Sequence, residues 1–258
     1  MKKIGFMNKK PYIIAEIGAN HNGEFEIAKK LVKKAKESGV DCVKFQIKTE
    51  PNELATQEHA SNLDSGKVNL ENVKDWSIKE LGISNIFEAA RKFHFDKCQY
   101  EELIKYANEL EIDVSASVFS KEGVDFLVKN DISFIKIASM DFINTDLLNY
   151  IFSTGVPLVV STGMCSEDEI SEFFYHLPKE YYDKTAILHC VSLYPPDSIH
   201  LQLKFISTLK KRYNIPVGFS DHTVGTLYPL LSFALGGSIL EKHFTLDNSL
   251  PGWDHKIS

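Results

Sequence analysis

Two periods of hydrophobicity take turns along the chain. Pro11 to Ile17 (PYIIAEI) is a short β-prone run; Ile27, Ala28, Leu31, Val32 and Ala35 then recur at the spacing of one helix face, with Gly39 as the stop. Cys42–Ile47 (CVKFQI) returns to a strand pattern. From Lys97 the alternation predicts a helix to about Leu110, a strand over 113–117 and a helix over about 121–129. Further strands are predicted over 134–138, 158–161, 186–190, 217–219 and 239–242, separated by helices over about 145–152, 167–176, 201–213 and 227–234.

Eight strands alternating with seven helices imply βαβ units and a parallel sheet. Right-handed crossovers curl eight such units into a closed (β/α)8 TIM barrel. An open doubly wound sheet is the rival fold, but its G-x-G-x-x-G turn after the first strand is missing. The eighth strand ends too near Ser258 for an eighth helix to follow, so either the chain is truncated or another segment covers that strand. The reading is one barrel domain over 1–258 with an insert at about 48–95.

The insert has mixed polarity and no clear period. A loop of that length is usually a functional lid or disordered, and its position after the second strand places it at the mouth where barrel active sites form. Trp76, Phe87, Phe93 and Phe95 favour packing over the mouth as a lid, in the same chain or across a homodimer.

Composition narrows the class. The length of 258 residues suits a (β/α)8 barrel, and 43% hydrophobic with 25% charged residues is a globular balance. With 29 Lys+Arg against 35 Asp+Glu the net charge is −6, and a chain without a basic block is a poor candidate for binding nucleic acid through phosphate neutralisation. Cys42, Cys98, Cys165 and Cys190 form no C-x-x-C pair and read as reduced thiols. The opening MKKIGFMNKK lacks the apolar run of a signal peptide, and Pro229 and Gly236-Gly237 interrupt the uncharged stretch from Thr223 to Leu240. A soluble cytoplasmic protein that binds neither membrane nor nucleic acid is expected.

Every predicted strand ends in polar residues that a structural strand does not need. The first ends in Glu16 before Gly18-Ala-Asn20-His21-Asn22-Gly23, and the second carries Lys44 and Gln46. Ser115 and Ser117 close the third; Lys136 and Ser139-Met140-Asp141 close the fourth; Ser161-Thr162-Gly163 close the fifth. The sixth ends His189-Cys190-Val191-Ser192, the seventh Ser220-Asp221-His222, the eighth Glu241-Lys242-His243. A lone strand-end His is usually a hydrogen-bonded surface residue and a lone Lys can snorkel to solvent, but eight polar ends at one rim describe a reaction chamber. Lys44 and Lys136 with Ser117, Ser139, Ser161 and Ser220 suit a phosphate and a carboxylate. His222 and His243, from neighbouring strands, can both face one divalent metal, with Glu16, Asp254 or water completing its shell.

These residues carry a family likeness. AEIGANHNG (15–23), VKFQ (43–46), FIKIAS (134–139), STGM (161–164), LHCVSLYP (188–195), GFSDHTVG (218–225), EKHFTLD (241–247) and LPGWDHK (250–256) resemble the sialic acid synthase family, in family order and over nearly all of the chain outside the insert. The resemblance implies a (β/α)8 barrel condensing phosphoenolpyruvate with an N-acetylated mannosamine-type sugar to a nonulosonic acid, with Mn2+ or Mg2+ bound. It implies metal ligands at His222 and His243, and phosphoenolpyruvate contacts at Lys44, Lys136, Ser139, Ser161, Ser220 and Ser117. It implies sugar contacts at Tyr194 and Asp254, and acids near the reacting carbons at Glu16 and Asp141. Three departures stand out: Ser117-Val118 where the family often has Thr-Pro, Ala138-Ser139-Met140-Asp141 where many members have Gly-Ser-Gly-Glu, and no counterpart of the family's C-terminal antifreeze-like domain. A homodimer is implied. The rival readings are a 3-deoxy sugar acid synthase using a phosphorylated aldose, disfavoured because Arg91 and Arg212 are the chain's only arginines and neither lies in a matched motif, and a non-catalytic, partner-dependent barrel.

Overall fold

In a strand, side chains alternate between two faces, so the apolar and polar positions of each strand divide into a set facing the barrel interior and a set facing the helices. The computed structural model describes residues 10–49, 81–83 and 86–258. Its strands β1 (Tyr12–Glu16), β2 (Cys42–Gln46), β3 (Asp113–Ser117), β4 (Phe134–Ile137), β5 (Leu158–Ser161), β6 (Thr185–Cys190), β7 (Val217–Asp221) and β8 (Ile239–His243) form a closed parallel barrel in sequence order. The ring closes at β1, where Glu16 lies opposite Lys44 of β2 on one side and His243 of β8 on the other.

The helices are α1 (Phe25–Glu37), α2 (Ile86–Lys92), α3 (Lys97–Glu109), α4 (Lys121–Lys129), α5 (Thr145–Thr154), α6 (Glu167–His176), α7 (Lys204–Tyr213) and α8 (Leu227–Ala234). Local chemistry sets their ends. Asp96 with Gln99 and Ser166 with Glu169 form reciprocal capping boxes at α3 and α6. Gly39 follows α1 at φ +80°, a left-handed conformation that a Cβ disfavours. The outward strand residues pack with the helices' apolar stripes in the main core, which includes Val43, Phe45, Leu103, Ile135, Ile151 and Phe219. Inside the barrel a second core of Ile14, Phe134, Val159, Leu188 and Ile239 fills the N-terminal half. Each such side chain contributes about 1.5–3 kcal/mol by leaving water.

Two expectations need correction. The insert is not irregular throughout: it contains α2, whose seven residues are too few for a helical period to show in the sequence. The segment 201–203 is not helical; a 3-10 turn at Ser198–His200 precedes α7, and the Leu201 carbonyl is held by His189 Nε2 at 2.6 Å. Behind α2, Ile83, Ala89 and Phe93 pack with Ala19, Leu81 and Trp253, so the returning arm lies against the β1 loop and the C-terminal segment. Trp76, the side chain of Phe87 and the stretch 50–80 lie outside the described residues, and so does the lid expected there. No α-helix follows β8 among the described residues; the 3-10 turn at His255–Ile257 sits over the end of that strand, tied to it by Lys242.

Candidate active site

The interior register turns from apolar to polar toward the strand C-termini. Above Ile14, Phe134 and Ile239, the next inward positions are Glu16, Lys136 and Glu241, joined by Lys44, Ser117, Ser161, Cys190 and Ser220. They line a cavity of about 350 Å3 with Gln46, Ser139, Met140, Met164, Ser192, Tyr194, His222 and His243. A polar floor over an apolar plug leaves a chamber open only at the C-terminal mouth, the end at which barrel enzymes place their chemistry.

Charge is balanced across the floor. Lys44 pairs with Glu16 and donates to Ser117 Oγ at 3.0 Å, while Gln46 Nε2 donates to the other Glu16 oxygen at 3.0 Å. Glu241 sits between the two lysines, its Oε2 at 3.9 Å from Lys44 Nζ and its Oε1 at 3.9 Å from Lys136 Nζ, and Ser220 Oγ donates to Oε1 at 3.0 Å. Burial works against the Lys44 ammonium, but Glu16 and Glu241 outweigh it and hold its pKa above the ordinary lysine value. Lys136 is different: burial, with Lys44 adding to it, depresses its pKa despite Glu241, and Ile137 O at 2.9 Å is its hydrogen-bond acceptor. Glu241 is also buried, yet Lys136, Lys44 and Ser220 draw its pKa below the usual carboxylate range.

On the rim, Tyr194 stacks on His222 with ring centroids 3.9 Å apart, and the His222 and His243 rings are 5.7 Å apart. Val191 O lies 3.0 Å from His222 Nδ1. Burial disfavours the His222 imidazolium, but Cys190 and the Val191 carbonyl more than offset it and its pKa is raised. Burial keeps His243 neutral, with a lowered pKa despite Asp254, whose Oδ2 is 3.5 Å from His243 Nδ1. Gly163 N–H donates to Ser139 Oγ at 2.9 Å, and a Cβ at this glycine would overlap the hydroxyls of Ser139 and Ser192.

The chamber thus gathers Glu16, Lys44, Ser117, Lys136, Ser139, Ser161, Tyr194, Ser220, His222 and His243 from the sequence reading. Asp254 reaches it only behind His243. Asp141 does not line it; its Oδ1 accepts from Asn144 Nδ2 at 3.1 Å and burial raises its pKa. The notion that all strand-end polar residues converge is corrected by strand alternation. His189 points outward to Leu201 O, His21 stacks on Phe95 at 4.2 Å, and Asp221 pairs with Lys242 outside the barrel. Glu241, like Gln46, Cys190 and Ser192, lines the chamber without a role that strand-end position assigns. It shares the inward face with His243 two positions on, and that spacing was the available signal.

Fold and site together define a (β/α)8 barrel with a chamber at its C-terminal mouth lined by buried lysines, carboxylates and hydroxyls. The chain belongs to the NeuB family, which it matches over residues 31–258. It is 36% identical over 252 residues to the N,N'-diacetyllegionaminic acid synthase of Legionella pneumophila, covering 96% of this chain and 67% of that protein. It is 37% identical over 250 residues to the N-acetylneuraminate-9-phosphate synthase of Drosophila melanogaster, covering 96% of this chain and 63% of that one. Both matches span about two thirds of the relative's length. Among solved structures, the N-acetylneuraminic acid (sialic acid) synthetase of Leptospira borgpetersenii, in complex with citrate, superposes with a TM-score of 0.81 at 29% identity, over 98% of this chain and 79% of that chain.

Proposed function

We propose that the chain condenses phosphoenolpyruvate with an N-acetylated mannosamine-type sugar, giving a nonulosonic acid and phosphate. The observation that carries this reading is the pair of buried lysines, Lys44 and Lys136, on the floor of a hydroxyl-lined cavity, with the charge of Lys136 under-compensated. A carboxylate or phosphate group entering the cavity supplies that missing partner. The relatives' names favour this reading over the 3-deoxy sugar acid synthase and the non-catalytic barrel.

The chemistry follows from the donors. Lys44, Lys136 and the hydroxyls of Ser117, Ser139, Ser161 and Ser220 hold the anionic groups of phosphoenolpyruvate and orient its C3 toward the acceptor's aldehyde carbon. C3 bonds to that carbon, whose aldehyde oxygen takes up a proton to become a hydroxyl, leaving an oxocarbenium at C2; water adds to C2 with loss of a proton, and the C–O bond to phosphate breaks as the added oxygen becomes the C2 ketone. Glu16 is placed to take the water's proton because it lines the cavity. Asp141, which does not, is the less favoured acid; Tyr194 on the rim faces the sugar, with Asp254 standing behind His243.

His222 and His243 fit a divalent ion: His243 is buried and neutral, and its Nδ1 has no hydrogen-bond partner. Among the described residues no group of three His, Cys, Asp or Glu side chains is placed to share a metal, so an ion held by the two histidines would need water or substrate oxygens as further ligands. Imidazole ligands favour Mn2+ over Mg2+. Such an ion supplies Lewis-acid polarisation of the aldehyde.

A homodimer is the assembly proposed, with exposed Met140 and Met164 on the cavity rim as an apolar surface for the second subunit. Free thiols at all four cysteines support a cytoplasmic setting, and no helix among the described residues is long and apolar enough to cross a membrane. Phosphate release from phosphoenolpyruvate, with Mn2+ and a panel of N-acetyl hexosamines, tests the function. Sugar-dependent release is expected. Release only with phosphorylated aldoses, or none with any acceptor, overturns it.

A further inference from the structure

Lys242 follows one chamber residue and precedes another along β8, while its own side chain lies outside the barrel. On β8 the positions 241 and 243 point inward and 242 outward, so the Lys242 stem leaves the chamber and reaches the strand's outer edge. There its ammonium donates to Asp221 Oδ2 at 2.8 Å, to Thr223 O at 2.6 Å and to Ile257 O at 2.9 Å. An ammonium has three donors, and all three are used.

The three acceptors are not scattered. Asp221 and Thr223 flank His222 on β7 and its exit, and the fully buried Asp221 turns its other oxygen back to Thr223 N at 3.0 Å. Ile257 ends the turn that begins after Asp254, and Asp254 faces His243 Nδ1 at 3.5 Å. His243 is the next residue after Lys242. One ammonium therefore holds the Asp221 carboxylate before His222, the Thr223 carbonyl after it and the turn that follows Asp254, all from the strand that carries His243.

We propose that Lys242 is a positioning residue that sets the spacing and ring orientation of His222 and His243 without touching substrate. The inference concerns geometry; only its metal arm rests on the metal role assigned above to the two histidines. A bidentate or solvated contact would not fix this arrangement, because the clamp joins three chain segments whose separate motions would each turn a ring. Small displacements of such ligands weaken sites strongly, as carboxylates and carbonyls behind metal-binding histidines do when removed.

The test is made on the whole chain. Lys242→Met alone strands the buried Asp221 charge and can fail to fold, so Lys242→Met is paired with Asp221→Asn, which removes that charge, and Lys242→Arg serves as the conservative variant. In metal-free protein, the ring 15N–1H signals of His222 and His243, assigned by the single alanine variants, are expected to shift in the paired variant, while those of His21 and His189 stay in place. Mn2+ affinity, measured by titration with the metal alone, is expected to fall about tenfold or more, with partial recovery in Lys242→Arg. A folded paired variant whose two ring signals are unchanged overturns the proposal. If the unaltered protein takes up no Mn2+, the metal reading fails, and the ring signals alone then decide the role of Lys242.

Discussion

Lys136 on β4 and Glu241 on β8 stand on opposite sides of the barrel, four strands apart either way round the ring, yet their charged atoms are 3.9 Å apart. The inward side chains of opposed strands meet across the floor, so a charge pair with no shared hydrogen-bond ladder becomes the centre of the chamber. Glu241 is shared between the two lysines and leaves Lys136 under-compensated, so an anion entering the chamber would find a cation to pair with.

Glu241→Gln removes the carboxylate that both lysines share. Breaking a buried charge pair costs about 3–5 kcal/mol, so the melting temperature should fall clearly. Saturating phosphoenolpyruvate should then raise it by more than in the unaltered protein, because the substrate's charges replace the lost carboxylate. Thermal melts with and without the substrate check this; equal shifts in the two proteins would contradict the shared-charge account.

His222→Ala and His243→Ala should each abolish metal-dependent turnover while leaving the circular dichroism spectrum unchanged. Losing a ligand should weaken Mn2+ binding by at least about a hundredfold, more than losing a group behind one. Normal turnover in either variant at micromolar Mn2+ would remove these histidines from the metal site.

Lys136 should make phosphoenolpyruvate binding depend on pH. Its pKa in the free protein is lowered by burial, and a bound anion raises it, so binding favours the protonated form. Affinity should be level below the free-protein pKa and fall as pH rises through it, at up to tenfold per unit, until the bound-state pKa is reached. The decline should begin below the ordinary lysine value. Lys136→Arg, which stays charged, should flatten the profile, and Lys136→Ala should raise KM for phosphoenolpyruvate more than for the sugar. Calorimetric titrations across alkaline pH decide the first point and steady-state kinetics the second.

Gly163→Ala tests the niche beside the fifth strand. The added methyl would displace the Ser139 and Ser192 hydroxyls, and one lost hydrogen bond to a charged ligand is worth about 1.5–3 kcal/mol. KM for phosphoenolpyruvate should rise roughly ten- to hundredfold, with a small change in melting temperature. Unchanged substrate kinetics would exclude this niche from the binding site.

The sequence by itself determined the barrel. Eight short β-prone runs, a helical period between them and caps such as Asp96 and Ser166 are local properties, and right-handed crossovers leave few ways to assemble them. Strand-end position also pointed to Lys44, Lys136, His222 and His243, because parallel strands deliver all their C-termini to one rim. Tertiary structure alone decided which polar residues face one another. Alternation sends Lys242 out and its neighbours Glu241 and His243 in, and only barrel closure brings Glu241 to Lys136 across the ring. It also decided that Asp254 stands behind His243 and that α2 packs its arm on Trp253, contacts between segments far apart in the chain. Periodicity records which face a residue occupies; what it meets there depends on strand order, stagger and closure, which are properties of the whole chain.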